Sequence, residues 1–164
     1  MILKTGDILH CTGDRFLSRI IRKLTGSRFS HTAVVVECWG NIYIADAQNN
    51  GVNPKDFDSW MQKYKYKFTV SRPQFEFDAK ELSKKAFSVS GVTKYDKWSL
   101  LFYQPLYLLT GKWRGKKNEA ADDKLYCSEF VAWLYEFPNW WAMSPEDVYK
   151  HCDSDEWYYF MNEK

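Results

Sequence analysis

The chain has 164 residues, 45% hydrophobic and 27% charged, enough for one substantial core and too few to divide comfortably into two, so a single domain over residues 1–164 is expected. Its formal net charge of +2 is too small for a nucleic-acid binder, which concentrates positive charge with aromatic groups on one surface. No stretch has the length and freedom from charge of a membrane span, and the first seven residues lack the apolar run of a secretory signal, so no transmembrane segment and a cytoplasmic setting are expected.

Ile8-Leu9-His10-Cys11 reads as a short strand after the Gly6-Asp7 turn. Asp14 is placed to cap a helix through Ile20, Ile21 and Leu24 that Gly26 stops. Ser30 to Glu37 reads as a core strand, Trp39-Gly40-Asn41 as a tight turn, and Ile42 to Ala47 as the return strand. Residues two apart share a strand face, so His31, Ala33, Val35 and Glu37 point one way, as do Ile42, Ile44 and Asp46. The hairpin can thus bring Asp46 back level with His31.

Pro54 to Tyr64 predicts a short helix with the apolar stripe Phe57, Trp60 and Met61. The alternation Lys63-Tyr64-Lys65-Tyr66-Lys67-Phe68 predicts a strand with a basic face and an aromatic face, running on through Val70 to Pro73. Asp78 caps the next predicted helix, which carries Leu82, Ala86 and Val89 and ends at Gly91. Trp98 to Leu109 is apolar but interrupted by Pro105, and reads as a broken packing helix or the wall of a hydrophobic cleft, in preference to a membrane contact. Gly111 to Lys117 reads as a mobile basic loop. Asp122 or Asp123 is placed to cap a helix with Phe130, Val131, Leu134 and Phe137 on its buried face, ended by Pro138. Ser144-Pro145-Glu146-Asp147 opens a short helix to His151, and Trp157 to Met161 supplies a last aromatic strand.

Cys11, Cys38, Cys127 and Cys152 are too widely spaced for a disulfide-rich pattern, and reduced thiols are expected. His10, Cys11 and His151, taken with His31 or Cys127, contain none of the compact ligand pairs of a zinc site, and Gly111 and Gly115 lack the lysine-hydroxyl ending of a phosphate loop. No metal or cofactor is expected. Cys127 falls near a helix start, where a thiolate is stabilised, and a histidine such as His31 can take its proton. The competing roles are a buried helix cysteine and a hydrogen-bonded strand histidine.

The segments Gly6-Asp7-Ile8-Leu9, Phe29-Ser30-His31-Thr32-Ala33-Val34-Val35, Ile44-Ala45-Asp46-Ala47 with Gly51-Val52, Tyr95-Asp96, and Tyr126-Cys127-Ser128-Glu129-Phe130-Val131 stand in an order that resembles the YiiX-like branch of the circularly permuted NlpC-type papain-like hydrolases. The resemblance covers nearly the whole chain. It implies an α+β, circularly permuted papain-like fold, with a small, mostly antiparallel sheet packed against a late nucleophile helix. It also implies Cys127 as nucleophile, His31 as base, Asp46 as the acid that orients the imidazole, and Tyr95 as a second oxyanion donor beside the Cys127 backbone. The family pattern often has glutamate where this chain has Asp46. Glu37, the local rival, lies three two-residue steps from His31, roughly 20 Å along the strand and out of reach.

The expected activity is that of a cysteine amidase or peptidase working through a thiol acyl-enzyme on an amide, peptide or isopeptide, a bacterial cell-wall peptide being one substrate that the wider family implies. Two alternatives stay open. One is a lipid or other acyl-ester hydrolase or acyltransferase, compatible with the apolar Trp98 to Leu109 segment. The other is a non-catalytic peptide- or lipid-binding module lined by part of the inventory of 8 Trp, 11 Tyr and 11 Phe. Contact with a membrane surface is compatible with the sequence, and it leaves the oligomeric state open.

Overall fold

The computed structural model describes residues 2–14, 16–64, 67–115 and 124–161. β1 (Ile8–Thr12) leads into α1 (Phe16–Thr25), followed by β2 (His31–Cys38) and β3 (Asn41–Ala45). The β2–β3 turn places Trp39 and Gly40 at φ 50° and 77°, a pair of left-handed residues whose twist matches that of the flanking strands. The expected return strand breaks at Asp46 and resumes as β4 (Ala47–Gln48), which pairs with β5 (Gly51–Val52) in a separate small hairpin. Next come β6 (Lys55–Asp56), α2 (Phe57–Tyr64) and β7 (Lys67–Pro73).

Here the sequence expectation needs correcting. Lys63 and Tyr64 end a helix, only Lys67 and Phe68 of the alternating run lie in a strand, and Lys65 and Tyr66 fall outside the described residues. The apolar spacing of Phe57, Trp60 and Met61, all packed on the sheet, outweighs the local period of two.

α3 (Ala79–Ser88) begins as expected, with the Asp78 carboxylate accepting from the backbone of Lys80 and Glu81. After β8 (Lys94–Tyr95) a π-helical turn (Ser99–Tyr103) runs directly into α4 (Gln104–Thr110). Pro105 sits in the first turn of α4, where a missing N–H is tolerated, so it does not break the segment. β9 (Lys124–Leu125) pairs in parallel with β8 and is followed by α5 (Cys127–Leu134), α6 (Pro145–His151, capped by Ser144) and β10 (Trp157–Met161). The N-cap of α5 is Tyr126, whose N–H donates to the Glu129 carboxylate. Asp122 and Asp123, the expected caps, lie outside the described residues, as does Arg15, next to the proposed Asp14 cap. α5 also stops before Phe137, since Glu136 takes a φ of 57°, yet Phe137 still joins the core.

The main sheet has the order β10-β7-β1-β2-β3-β6, with every neighbouring pair antiparallel. Period two divides its side chains between two layers. Ile8, Val34 and Val36 face α3, α5 and α6 through Leu82, Ala86, Phe130, Val131 and Val148. Leu9, Ala33, Val35, Ile44 and Val70 face α2 through Trp60. The fold is α+β, a small antiparallel sheet packed against the late helix α5, whose closest strand contacts are with β2. Among the described residues no helix is long and apolar enough to cross a membrane.

Candidate functional site

His31 is the first residue of β2, opposite Cys11 of β1, at the end of the sheet. The β2–β3 register pairs Val34 with Ala45, and one further step sets Asp46 level with Ala33, two residues from His31 on the same face. The side chains meet there: His31 Nε2 lies 2.8 Å from Asp46 Oδ2. The same oxygen accepts from Gln48 Nε2 at 2.7 Å and from the indole Nε1 of Trp60 at 2.8 Å. Asp46 is wholly buried, so its desolvation favours the neutral acid, but bonds from His31, Gln48 and Trp60 and the charge of His31 outweigh this and hold its carboxyl below the usual range. The break between β3 and β4 has its physical reason here. Asp46 turns its carboxylate to three side-chain donors, and the chain leaves the ladder.

Cys127 opens α5 with its thiol buried. Burial raises a thiol, yet the charge and hydrogen bond of His31, with backbone N–H bonds from Thr32 and Ser128, bring Cys127 below its ordinary value. For His31, burial would lower the imidazolium. The charge of Cys127, hydrogen bonds with Asp46 and Cys127, and the Asp46 charge reverse that and raise it to about 10. The two groups thus favour a thiolate facing an imidazolium.

The other cysteines are unlike it. Burial pushes Cys11 and Cys152 up, and Cys38 lies half-buried at the far end of β2. None of the four is in a disulfide. Glu37 is exposed beside Cys38 at that far end.

Tyr95 pairs with Leu125 across the β8–β9 ladder, two residues before Cys127. It lines a pocket of about 60 Å³ together with Ser18, Ile21, Ser30, His31, Ala47, Gln48 and Asn49. Asp96, its neighbour in sequence, is engaged elsewhere, accepting from the backbone and hydroxyl of Ser99 at 3.0 and 2.7 Å. A larger hollow of about 480 Å³, lined by Tyr107, Gly111, Lys112, Trp113, Asn139, Trp141 and Ala142, shares no residue with the His31 pocket.

The structure therefore gathers His31, Asp46 and Cys127 and sets Tyr95 at the adjoining pocket. Sequence reasoning missed Gln48, Trp60 and the N–H groups of Thr32 and Ser128. Gln48 was within reach of the strand pattern, two residues from Asp46. Trp60 carried a weaker signal: a fully buried tryptophan needs a partner for its N–H.

His10 binds Ser71 (2.7 Å) and His151 packs on Phe137, so neither joins this cluster. Among the described residues no group of three or more His, Cys, Asp or Glu side chains is arranged to hold a metal ion.

A scan of known protein families finds no match to the chain, and neither does a search of curated proteins. Among solved structures, the crystal structure of metalloprotein yiiX (DUF1105) from Escherichia coli O157:H7 matches with a TM-score of 0.59, covering 98% of this chain and 97% of that one. The two chains share a fold. At 19% identity the likeness to yiiX extends to architecture alone, and the metal in that protein's description finds no matching ligand cluster among the described residues here.

Proposed function

We propose that this chain is a cysteine acyl hydrolase of the circularly permuted papain-like type, one domain in which Cys127 is nucleophile, His31 acid and base, and Asp46 the residue that orients His31. The observation that supports the reading is the buried hydrogen-bonded series from Asp46 through His31 to Cys127 at the start of a helix, with His31 Nε2 2.8 Å from Asp46 Oδ2 and the thiol bonded to the same imidazole. The order of the chain, histidine strand first and nucleophile helix late, supports the permuted arrangement. With Nε2 of His31 engaged by Asp46, Nδ1 is the nitrogen left for the thiol.

The chemistry follows from these positions. The Cys127 thiolate attacks a carbonyl carbon, and a new S–C bond forms as the carbonyl electrons move onto oxygen. His31 passes its proton to the departing amine or alkoxide as that bond breaks, leaving a thioester. Water then attacks the thioester with neutral His31 taking its proton, and the S–C bond breaks to release the acid and restore the thiolate. The backbone N–H of Cys127 and the Tyr95 hydroxyl are the proposed donors to the oxyanion.

The leading substrate class is an amide, peptide or isopeptide. A second reading, a lipid acyl ester, is favoured by one observation: Trp98 and Phe102, a few residues beyond Tyr95, are 68% and 57% exposed and stack at 4.9 Å beside the pocket elements. Intact-mass detection of an acyl-enzyme across peptide amides, isopeptides and activated lipid esters tests both, with Cys127→Ala as control. An adduct from amides that Cys127→Ala abolishes supports the first reading. Adducts from lipid esters alone move the assignment to the second, and the absence of any Cys127-dependent adduct with folded protein overturns the mechanism.

A further inference from the structure

The segment expected to pack inward from Trp98 to Leu109 does so with only part of its surface. Leu100 and Gln104 are buried, while Trp98, Phe102, Leu108 and Leu109 are 68%, 57%, 44% and 84% exposed. α1 packs against both the π-helical turn and α4, with Ile21 and Leu100 in one cluster. It too turns apolar residues outward. Phe16, Ile20 and Leu24 recur every four residues along one stripe, and Phe16 and Leu24 are 74% and 44% exposed. Single exposed apolar residues are ordinary, but two packed elements each presenting several are not.

Within these elements the charge has one sign, the nearest acids along the chain being Asp14 and Asp96 at their edges. α1 carries Arg19, Arg22 and Lys23 and no acid; from Lys97 to Gly115 the charged residues are Lys97, Lys112 and Arg114, again with no acid. Elsewhere the chain holds 21 acidic residues against 17 basic, so this pairing is a local separation of charge, not a reflection of composition. Arg19, Lys23, Lys97, Lys112 and Arg114 are all exposed. An exposed apolar stripe flanked by cations, on helices too short to span a bilayer, fits one occupant by charge and shape: the headgroup region of an anionic membrane.

We infer that α1, the π-helical turn and α4 form a surface that docks on anionic lipid bilayers, with Phe16, Trp98, Phe102 and Leu109 entering the interface and the surrounding lysines and arginines meeting lipid phosphates. Ser18 and Ile21 of α1 and Tyr95, just ahead of the π-helical turn, line the His31 pocket, so docking turns that pocket toward the membrane. The inference does not depend on covalent chemistry at Cys127.

Co-sedimentation of the full chain with phosphatidylcholine vesicles, with and without 30 mol% phosphatidylglycerol (about that fraction suffices to set a negative surface potential), tests it. Binding is expected only to the anionic vesicles, weakening by about tenfold or more when salt is raised from 0.1 to 0.5 M. The exposed-residue variants Trp98→Ser with Leu109→Ser, and Lys97→Glu with Arg114→Glu, should each reduce partitioning about tenfold or more while leaving the circular dichroism spectrum unchanged. Absence of binding, equal binding to neutral vesicles, or anionic binding unaffected by both pairs overturns the proposal. So does a concentration-dependent dimer in sedimentation that Trp98→Ser with Leu109→Ser abolishes, since the apolar residues would then serve a second copy of the chain. Because Cys127→Ala should bind vesicles like the parent, failure of the acyl-enzyme reading and failure of docking are told apart.

Discussion

Trp60 of α2 and His31 of β2 approach the same oxygen of Asp46, each at 2.8 Å. With Gln48 as third donor, Oδ2 is held by bonds that all favour its anionic form. The anion in turn raises His31, and the raised imidazolium lowers Cys127. A helix on one side of the sheet thereby helps set the charge of a thiol at the start of a helix that packs on the other.

That chain of dependence gives the first prediction. Asp46→Asn removes the charge but keeps the volume, so His31 should titrate lower, Cys127 higher, and kcat/KM should fall by about a hundredfold or more. Trp60→Phe removes one donor to a buried carboxylate and should destabilise the fold by about 1.5–3 kcal/mol, with a smaller effect on the thiol. Urea unfolding and the pH dependence of Cys127 alkylation check both. An unchanged alkylation profile in Asp46→Asn would show that the carboxylate does not act through His31.

The pH window follows from the two shifts. The thiolate–imidazolium pair exists above the lowered Cys127 value and below about pH 10, where His31 gives up its proton. Alkylation by iodoacetamide should therefore set in at a lower pH than for an ordinary thiol. The acylation rate should follow a bell whose acid limb lies below the ordinary thiol range and whose alkaline limb falls near pH 10. His31→Gln should lose that advantage and react at pH 6 at least about tenfold more slowly. A single acid limb at ordinary thiol pH in the parent chain contradicts the pairing.

Cysteine selectivity is the third expectation. Burial pushes Cys11 and Cys152 up and leaves them largely protonated at neutral pH, whereas Cys127 is brought down by His31 and two backbone N–H groups. Peptide mapping after brief labelling with a small reagent should find Cys127 modified ahead of both. Cys127→Ala should abolish turnover with the fold retained, while Cys38→Ala should hold activity within about twofold, being a peripheral packing change. Faster labelling of Cys152 than of Cys127 would displace the nucleophile assignment.

Much of this site is written locally in the sequence. The alternation from His31 to Glu37 and the Trp39-Gly40 turn determine which residues return beside which, so Asp46 could be set near His31 before any tertiary contact was known. Asp78 and Ser144 likewise sit where short-range cap chemistry places them. What was not legible depends on packing between distant segments. Nothing near Trp60 indicates that its N–H crosses to Asp46, and the apolar residues from Trp98 to Leu109 carry no local mark of which ones α1 and Asn139–Ala142 leave uncovered. The run Lys63 to Phe68 misled because a period of two over six residues is weaker than the burial of Trp60 on the sheet.

The last prediction concerns stability and uses a group outside the site. His10 is buried between Phe29 and Tyr149, and burial first, then the Arg28 charge, lower its imidazole to about 3. The unfolded chain binds this proton near pH 6.5 and the folded chain only near pH 3, so between those values the unfolded state holds more protons. Stability must then fall as pH falls, by up to about 1.4 kcal/mol per pH unit from this one residue. Going from pH 6.5 to 4.5 should therefore cost the parent about 2 kcal/mol more than His10→Gln, which keeps a polar partner for the Ser71 hydroxyl 2.7 Å away but cannot titrate. Urea midpoints at the two pH values provide the measurement. Equal acid sensitivity in parent and variant would mean that the buried imidazole gains its proton without loss of folding, and that the acid response of this chain belongs to its carboxylates.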